Sequence, residues 1–151
     1  MRVVIQRVNR ASVTVNDKLA GAIERGLCLL VGITHEDSGE HLNYIVEKVV
    51  NMRLFPDPSG KSGFDLSVQN IDGGLLVISQ FTLYASTRKG RRPGFTEAAH
   101  SDSAKSMFGQ VIEAFRSSGL QMETGVFGAS MTVDIENAGP VTIVLDSAER
   151  T

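Results

Sequence analysis

The sequence predicts an α+β fold, a single domain spanning residues 1–151, with a largely antiparallel sheet and two main helices. Three observations carry this expectation. Period-two alternation marks the N-terminal stretch and two stretches near the C-terminus, as half-buried strands require. Two segments repeat apolar residues at helical spacing. The strands group around those helices without the regular strand–helix–strand alternation of a parallel sheet. At 151 residues the chain is long enough to bury roughly 68–70% of its unfolded surface without a metal or disulfide.

Met1–Val8 alternates, and so does Ala11–Val15, with Ser12 and Thr14 set against Val13 and Val15. Asn16-Asp17 supplies a turn, and Gly21–Arg25 continues as a short strand. Gly26–Ile33 is a nearly continuous apolar run too short for a good helix, so it reads as a central strand buried on both faces. From Asp37 the period changes: Leu42, Ile45, Val46, Val49 and Val50 share one helical face. Asp37 and Glu40 have the spacing of a capping box, and the helix is expected to run to near Arg53.

Phe55–Gly63 is a loop by its proline and glycine content. Its Gly60-Lys61-Ser62 lacks the glycine a phosphate-binding loop needs at position 55, and a strand-like Phe64–Ser67 follows where that motif requires a helix, so a nucleoside triphosphatase is excluded. Asp72-Gly73-Gly74 turns into a strand over Leu75–Tyr84. A second amphipathic helix spans Ser103–Ser117, with Ala104, Met107, Phe108, Val111, Ile112 and Phe115 on its buried face and Gly119 at its stop. Strands at Met131–Ile135 and Val141–Leu145 flank Gly139-Pro140.

A net charge of −2 and a pI near 5.9 argue against a protein that coats nucleic acid along its whole surface. Locally, Arg88, Lys89, Arg91 and Arg92 put four cations into five residues of a Gly/Pro-punctuated loop. Acidic groups farther away than a Debye length of ~8–10 Å do not cancel such a patch. It reads either as a solvated surface loop or as a phosphate contact, and its place just after Ser79–Ala85 favours the second. Cys28 lies in an apolar run and reads as core; one cysteine makes no intramolecular disulfide. No run approaches the ~18 apolar residues of a membrane span, so a soluble cytoplasmic protein without a membrane partner is expected.

Conventional hydrolase signatures are missing: there is no Gly-x-Ser-x-Gly, no His-Glu-x-x-His and no Cys-x-x-Cys. His35 and His41 flank the first helix start and His100 precedes the second, places that suit capping or solvent exposure better than catalysis. No metal and no cofactor is expected. Two stretches remain. In Ser79-Gln80-Phe81-Thr82-Leu83-Tyr84-Ala85, backbone N–H groups around Phe81 and Thr82 supply an oxyanion site if the strand ladder frays there. In Asn137-Ala138-Gly139-Pro140-Val141-Thr142, a glycine-proline pair sits between strand-like runs. It is either a plain turn or, with a cis bond, a side-chain-free acceptor surface that reads a small substrate by shape.

Taken together, Ser79-Gln80-Phe81-Thr82-Leu83 and Asn137-x-Gly139-Pro140-Val141-Thr142 resemble the D-aminoacyl-tRNA deacylase family. The likeness runs in the family's order from Met1–Val8 through Lys89-Gly90-Arg91-Arg92-Pro93 and Phe127-Gly128-Ala129-x-Met131 to Leu145-Asp146-Ser147. It implies a barrel-like fold and hydrolysis of the ester of D-aminoacyl-tRNA, and of glycyl-tRNA, to free amino acid and tRNA. The implied partners are the aminoacyl-tRNA 3′ end and a second copy of the chain, whose Gly139-Pro140, as a cis peptide, enters the pocket in trans and rejects L-aminoacyl esters. On the same likeness Ser79, Gln80, Phe81 and Thr82 form the pocket floor, with catalysis assisted by the substrate's own 2′-hydroxyl. Arg7 holds the Gly-Pro loop, Phe127 and Met131 line the adenine pocket where their other reading is core, and Arg88, Lys89, Arg91 and Arg92 contact tRNA.

The sequence departs from the family pattern at Gly94, Ser130 and Ala138, none of which removes a group the mechanism needs. Two other classes compete: a generic small-ester hydrolase, which needs no tRNA, and a non-enzymatic RNA-binding module, which turns nothing over.

Overall fold

A computed structural model describes residues 1–150. The first strand, β1 (Arg2–Val15), is one continuous element where the alternation suggested two. The Asn9-Arg10 junction is an irregularity rather than a break: the pairing with the last strand shifts register between Val8 and Arg10 and continues, with Asn9 and Arg10 both reaching Glu136 of that strand at 3.2 and 2.7 Å. Next come β2 (Lys18–Ile23) and β3 (Gly26–Gly32), then helix α1 (Gly39–Asn51) and the small antiparallel pair β4 (Arg53–Phe55) and β5 (Leu66–Ser67). They are followed by β6 (Gly74–Ser79), helix α2 (Ser101–Arg116), β7 (Met122–Thr124) and the long β8 (Thr132–Asp146).

The main sheet runs β2-β1-β3-β6-β7, with β8 on the other edge of β1. All pairings of β1 are antiparallel; β3–β6 and β6–β7 are parallel. Strand β7, too short to show a period, was not apparent in the sequence. It matters because β2 curls back towards it: a Cβ added at Gly21 would lie 3.1 Å from the Glu123 Cβ and from the Thr124 carbonyl oxygen. That approach nearly closes the sheet into a barrel.

Two apolar cores result. On one face, Val3, Ile5, Leu27, Leu29, Leu75 and Val77 meet the helices through Ile45 and Val49 of α1 and Phe108, Val111 and Phe115 of α2. On the other, Val8, Ala11, Val13, Ile23, Cys28, Leu76 and Ile78 fill the barrel interior. Strands β3 and β6 therefore contribute alternate residues to both cores, which is why their sequences are apolar throughout.

The expected cap of α1 is corrected. Ser38, not Asp37, is the N-cap residue, and the Ser38 N–H donates to His41 Nδ1 at 3.1 Å. Asp37 is taken elsewhere: its buried carboxylate pairs with the Met1 α-amine and accepts the Thr34 N–H at 2.9 Å. Burial pushes the Cys28 thiol up to about 12. At pH 8 the native protein should therefore be alkylated by iodoacetamide on the order of 10³-fold more slowly than the denatured chain, since the thiolate is the nucleophile. Rapid labelling of folded protein, followed by mass spectrometry, would show the barrel interior to be open.

Candidate active site

Strand β6 ends at Ser79. The Gln80 N–H makes the last bond to the sheet, to the Val31 carbonyl at 2.8 Å, and the chain then leaves as a 3-10 turn over Phe81–Tyr84. This replaces the strand expected to continue to Tyr84. The turn sits over Gly32, where an added Cβ would lie 3.0 Å from the Leu83 Cβ and 3.1 Å from the Gln80 carbonyl oxygen. Leu83 N–H closes on the Gln80 carbonyl at 3.3 Å and Ala85 N–H on the Thr82 carbonyl at 3.1 Å. Among the described residues, the N–H groups of Phe81 and Thr82 have no acceptor.

Arg2, which sequence reasoning passed over, fixes this turn. Its Nη1 donates to the Leu83 carbonyl at 2.8 Å, its guanidinium lies 4.9 Å from the Tyr84 ring centroid, and Asp146 pairs with it at 2.9 Å. Its signal in the sequence is faint: a cation in phase with Val4 and Gln6 on a face of β1 that the apolar pattern leaves unassigned.

A cavity of about 440 Å³ opens beside the turn. Its apolar walls are Val31, Ile33, Ala98, Ala99, Ala104 and Phe127; its polar groups are Ser79, Gln80, His100 and Ser101. Phe81 and Phe95 stand at its edge with their rings edge to face, centroids 5.0 Å apart. Thr82 is the next residue of the turn, and its Oγ1 accepts from Gln80 Nε2. No carboxylate or histidine is hydrogen-bonded to Ser79 or Thr82 among the described residues.

The remaining expected residues divide. Phe127 lines the cavity and packs at a tilt on Phe108. Met131 does not line it: its Sδ accepts the Val126 N–H at 3.4 Å and its side chain packs against the barrel core, bracing the loop that presents Phe127. Arg88, Lys89, Arg91 and Arg92 are exposed on a loop closed by paired bonds between Ser86 and Gly94, 2.7 and 2.9 Å long. No carboxylate pairs with them among the described residues. Phe95, just past this loop, ties it to the cavity rim.

Gly139 and Pro140 lie outside this cavity. They are not a turn joining two strands but an excursion within β8: between the pairs Gln6↔Thr142 and Val8↔Asn137, Arg7 alone faces Ala138–Val141. The Gly139–Pro140 bond is cis, and Gly139 has φ +124°. Asn137 Oδ1 accepts the Val141 N–H at 3.1 Å, and Asn137 Nδ2 donates to Thr142 Oγ1 at 2.9 Å. Arg7 donates from Nε to the Ala138 carbonyl at 3.0 Å and from Nη1 to the Leu54 carbonyl at 2.8 Å. A Cβ added at Gly139 would come within 2.8 Å of Arg7 Nη2.

A near-closed sheet backed by two helices, with an apolar slot beside the turn that ends β6, defines a single α+β domain. The family model described as D-Tyr-tRNA(Tyr) deacylase matches residues 4–146, and the chain belongs to that family, one of hydrolases. It is 52% identical over 147 residues to the D-aminoacyl-tRNA deacylase of Clostridium perfringens (strain SM101 / Type A), covering 97% of each chain. It is likewise 52% identical over 146 residues to that of Acaryochloris marina (strain MBIC 11017), covering 97% of this chain and 95% of the relative. Among solved structures it is similar to the c-Myc DNA Unwinding Element Binding Protein, with TM-score 0.90, 42% identity and coverage of 97% and 98% of the two chains. A probable eukaryotic D-amino acid tRNA deacylase shares the fold at TM-score 0.82 and 18% identity, over 95% and 97% of the two chains.

Burial opposes ionisation of Asp146, but the Ala148 N–H and the Arg2 guanidinium outweigh it and hold the carboxyl below its ordinary value. A lowered folded pKa stabilises the fold above the unfolded value, about 3.9, and that contribution is lost as pH falls through the folded one. Asp146→Asn should therefore be less stable than wild type at neutral pH, with the gap narrowing as pH falls below about 4. Urea titrations across that range read the difference; a constant gap would show that the Arg2 clamp does not depend on the Asp146 charge.

Proposed function

We propose that this chain hydrolyses the ester of D-aminoacyl-tRNA to free D-amino acid and tRNA, and cleaves glycyl-tRNA as well. The observation that carries this reading is the pair of N–H groups at Phe81 and Thr82 that are unpartnered among the described residues, set beside an apolar slot of about 440 Å³. Amide donors aimed at a developing oxyanion contribute on the order of 10²–10³ each in rate. The aminoacyl ester of a tRNA end brings its own vicinal hydroxyl next to the scissile carbonyl, so once the substrate is oriented the enzyme need not supply a nucleophile–base pair. Ser79, Gln80 and Phe81 form the floor, and the Thr82 hydroxyl, which accepts from Gln80, keeps its own proton to orient water or substrate. The terminal adenine lies along Phe127, and the Arg88–Arg92 loop meets tRNA phosphates.

Stereochemistry is enforced in trans. Gly139 and Pro140 are exposed and stand apart from their own chain's cavity, held by Arg7 and Asn137, an arrangement that supports insertion into the cavity of a second copy. Their backbone carbonyls face the substrate α-carbon, leave room for a hydrogen or a D-side chain and exclude an L-side chain. A backbone reader accepts many side chains and does not fully exclude glycine.

The test is deacylation of matched D-tyrosyl- and L-tyrosyl-tRNA by the purified protein. Only the D-ester should be lost above background. Gly139→Ala should slow that loss by at least about tenfold, because an L-residue is strained at this φ and its Cβ displaces Arg7. Equal hydrolysis of both esters would indicate a generic ester hydrolase, and tRNA binding without turnover an RNA-binding module. Full activity from a monomer at high dilution would remove the trans arrangement.

A further inference from the structure

The wall of the cavity between Phe95 and Ser101 is held in place by contacts that the reaction as proposed does not use. Thr34 Oγ1 donates to the Glu97 carbonyl at 2.6 Å, and the Ala99 N–H donates to the Ile33 carbonyl at 3.0 Å, so the segment is tied to the end of β3. His100 closes the segment and lines the cavity. It is exposed and occupies the N-cap position of α2 without capping it by its side chain, and neither ring nitrogen is hydrogen-bonded to another described residue. Its ring nevertheless has a support: His35 packs against it edge to face, centroids 5.1 Å apart and planes at 62°. His35 in turn is oriented by its Nε2–H, which donates to the Thr96 carbonyl at 2.9 Å.

An exposed ring that is braced from behind and lines an apolar slot, with neither nitrogen bonded to a described group of the chain itself, is placed for a hydrogen bond to a ligand. We propose that His100 is a positioning residue for the substrate's terminal nucleoside, donating a hydrogen bond from its imidazole to an acceptor on that nucleoside as the base enters along Phe127, and that His35 sets the ring's orientation. Adenine and ribose present such acceptors, whereas a phosphate drawn into this mainly apolar slot would lose its hydration without a cation to replace it. His100 takes no part in bond breaking. The assignment rests on reading the substrate as an aminoacyl ester of a tRNA end.

With D-tyrosyl-tRNA, His100→Ala should raise KM about 3- to 10-fold, the range for one lost hydrogen bond, with kcat within about twofold of wild type. His100→Asn, which retains a donor, should recover most of that KM. Binding is read separately by titrating the wild-type protein with AMP and following the ring proton resonances of His35, His41 and His100. The His100 signals should shift with saturation, those of His35 should follow through the ring contact, and those of His41, on α1, should stay fixed. An unchanged KM in His100→Ala, or His100 resonances that stay put at AMP concentrations that inhibit deacylation, would overturn the assignment. Failure of the wild-type protein to deacylate D-tyrosyl-tRNA at all would instead sink the functional reading on which it rests.

Discussion

Burial of β3 and β6 on both faces is the constraint from which the rest of the molecule follows. The two strands lie between the helix layer and the barrel interior, so every residue they contribute must be apolar or small. Their alignment is set at the start, where Gly26 meets Gly74 so closely that an added Cβ would lie 1.9 Å from the Gly74 carbonyl oxygen. From there the parallel pairing runs to Val31↔Ser79 and stops. The end of this pairing borders the cavity: Gln80 makes one more bond to Val31, and the chain turns away with its next two N–H groups unpaired among the described residues.

Such an end would fray if nothing held it. Arg2 bonds the Leu83 carbonyl and covers the Tyr84 ring, while Asp146 holds the guanidinium, so the two long paired strands, β1 and β8, also fix the turn. The far wall is secured from the other side of β3, through Thr34 and Ile33 to Glu97 and Ala99. Between these supports the cavity is lined by Val31, Ile33, three alanines and the Phe81, Phe95 and Phe127 rings.

The Gly139-Pro140 excursion obeys a different logic. It arises because β8 follows β1 over its whole length yet carries more residues than β1 can pair, and the surplus loops out opposite Arg7. A second irregularity in the same pairing, between Val8 and Arg10, lets β1 change faces: Val3 and Ile5 face the helix core, whereas Ala11 and Val13 join Val8 in the barrel. One arginine thus serves the fold and the loop together, bonding Leu54 on β4 and Ala138 on β8. Within one chain this loop and the cavity remain separate.

Local physics was enough to read most elements from the sequence: the period-two runs, the buried Gly26–Ile33 run, the two amphipathic helices and the motif at the end of β6 are each written in neighbouring residues. The α+β class and the family followed from them. What the sequence could not decide were the features that depend on a partner far along the chain. Asp37 looks like a helix cap until the Met1 amine claims it. Tyr84 reads as the end of a strand until Arg2 and Gly32 fold the chain into a turn. Whether Gly139-Pro140 is a plain turn between strands or a cis acceptor surface stays open in the sequence; that it is an excursion within one strand emerges only when β1 runs on past it as a continuous partner. Met131 reads either as pocket lining or as core, and its packing against the barrel core is visible only in the tertiary structure. Spacing along a chain records periodicity and steric preference, but competition between distant groups for one hydrogen bond or one cavity is resolved only once the tertiary structure brings them together.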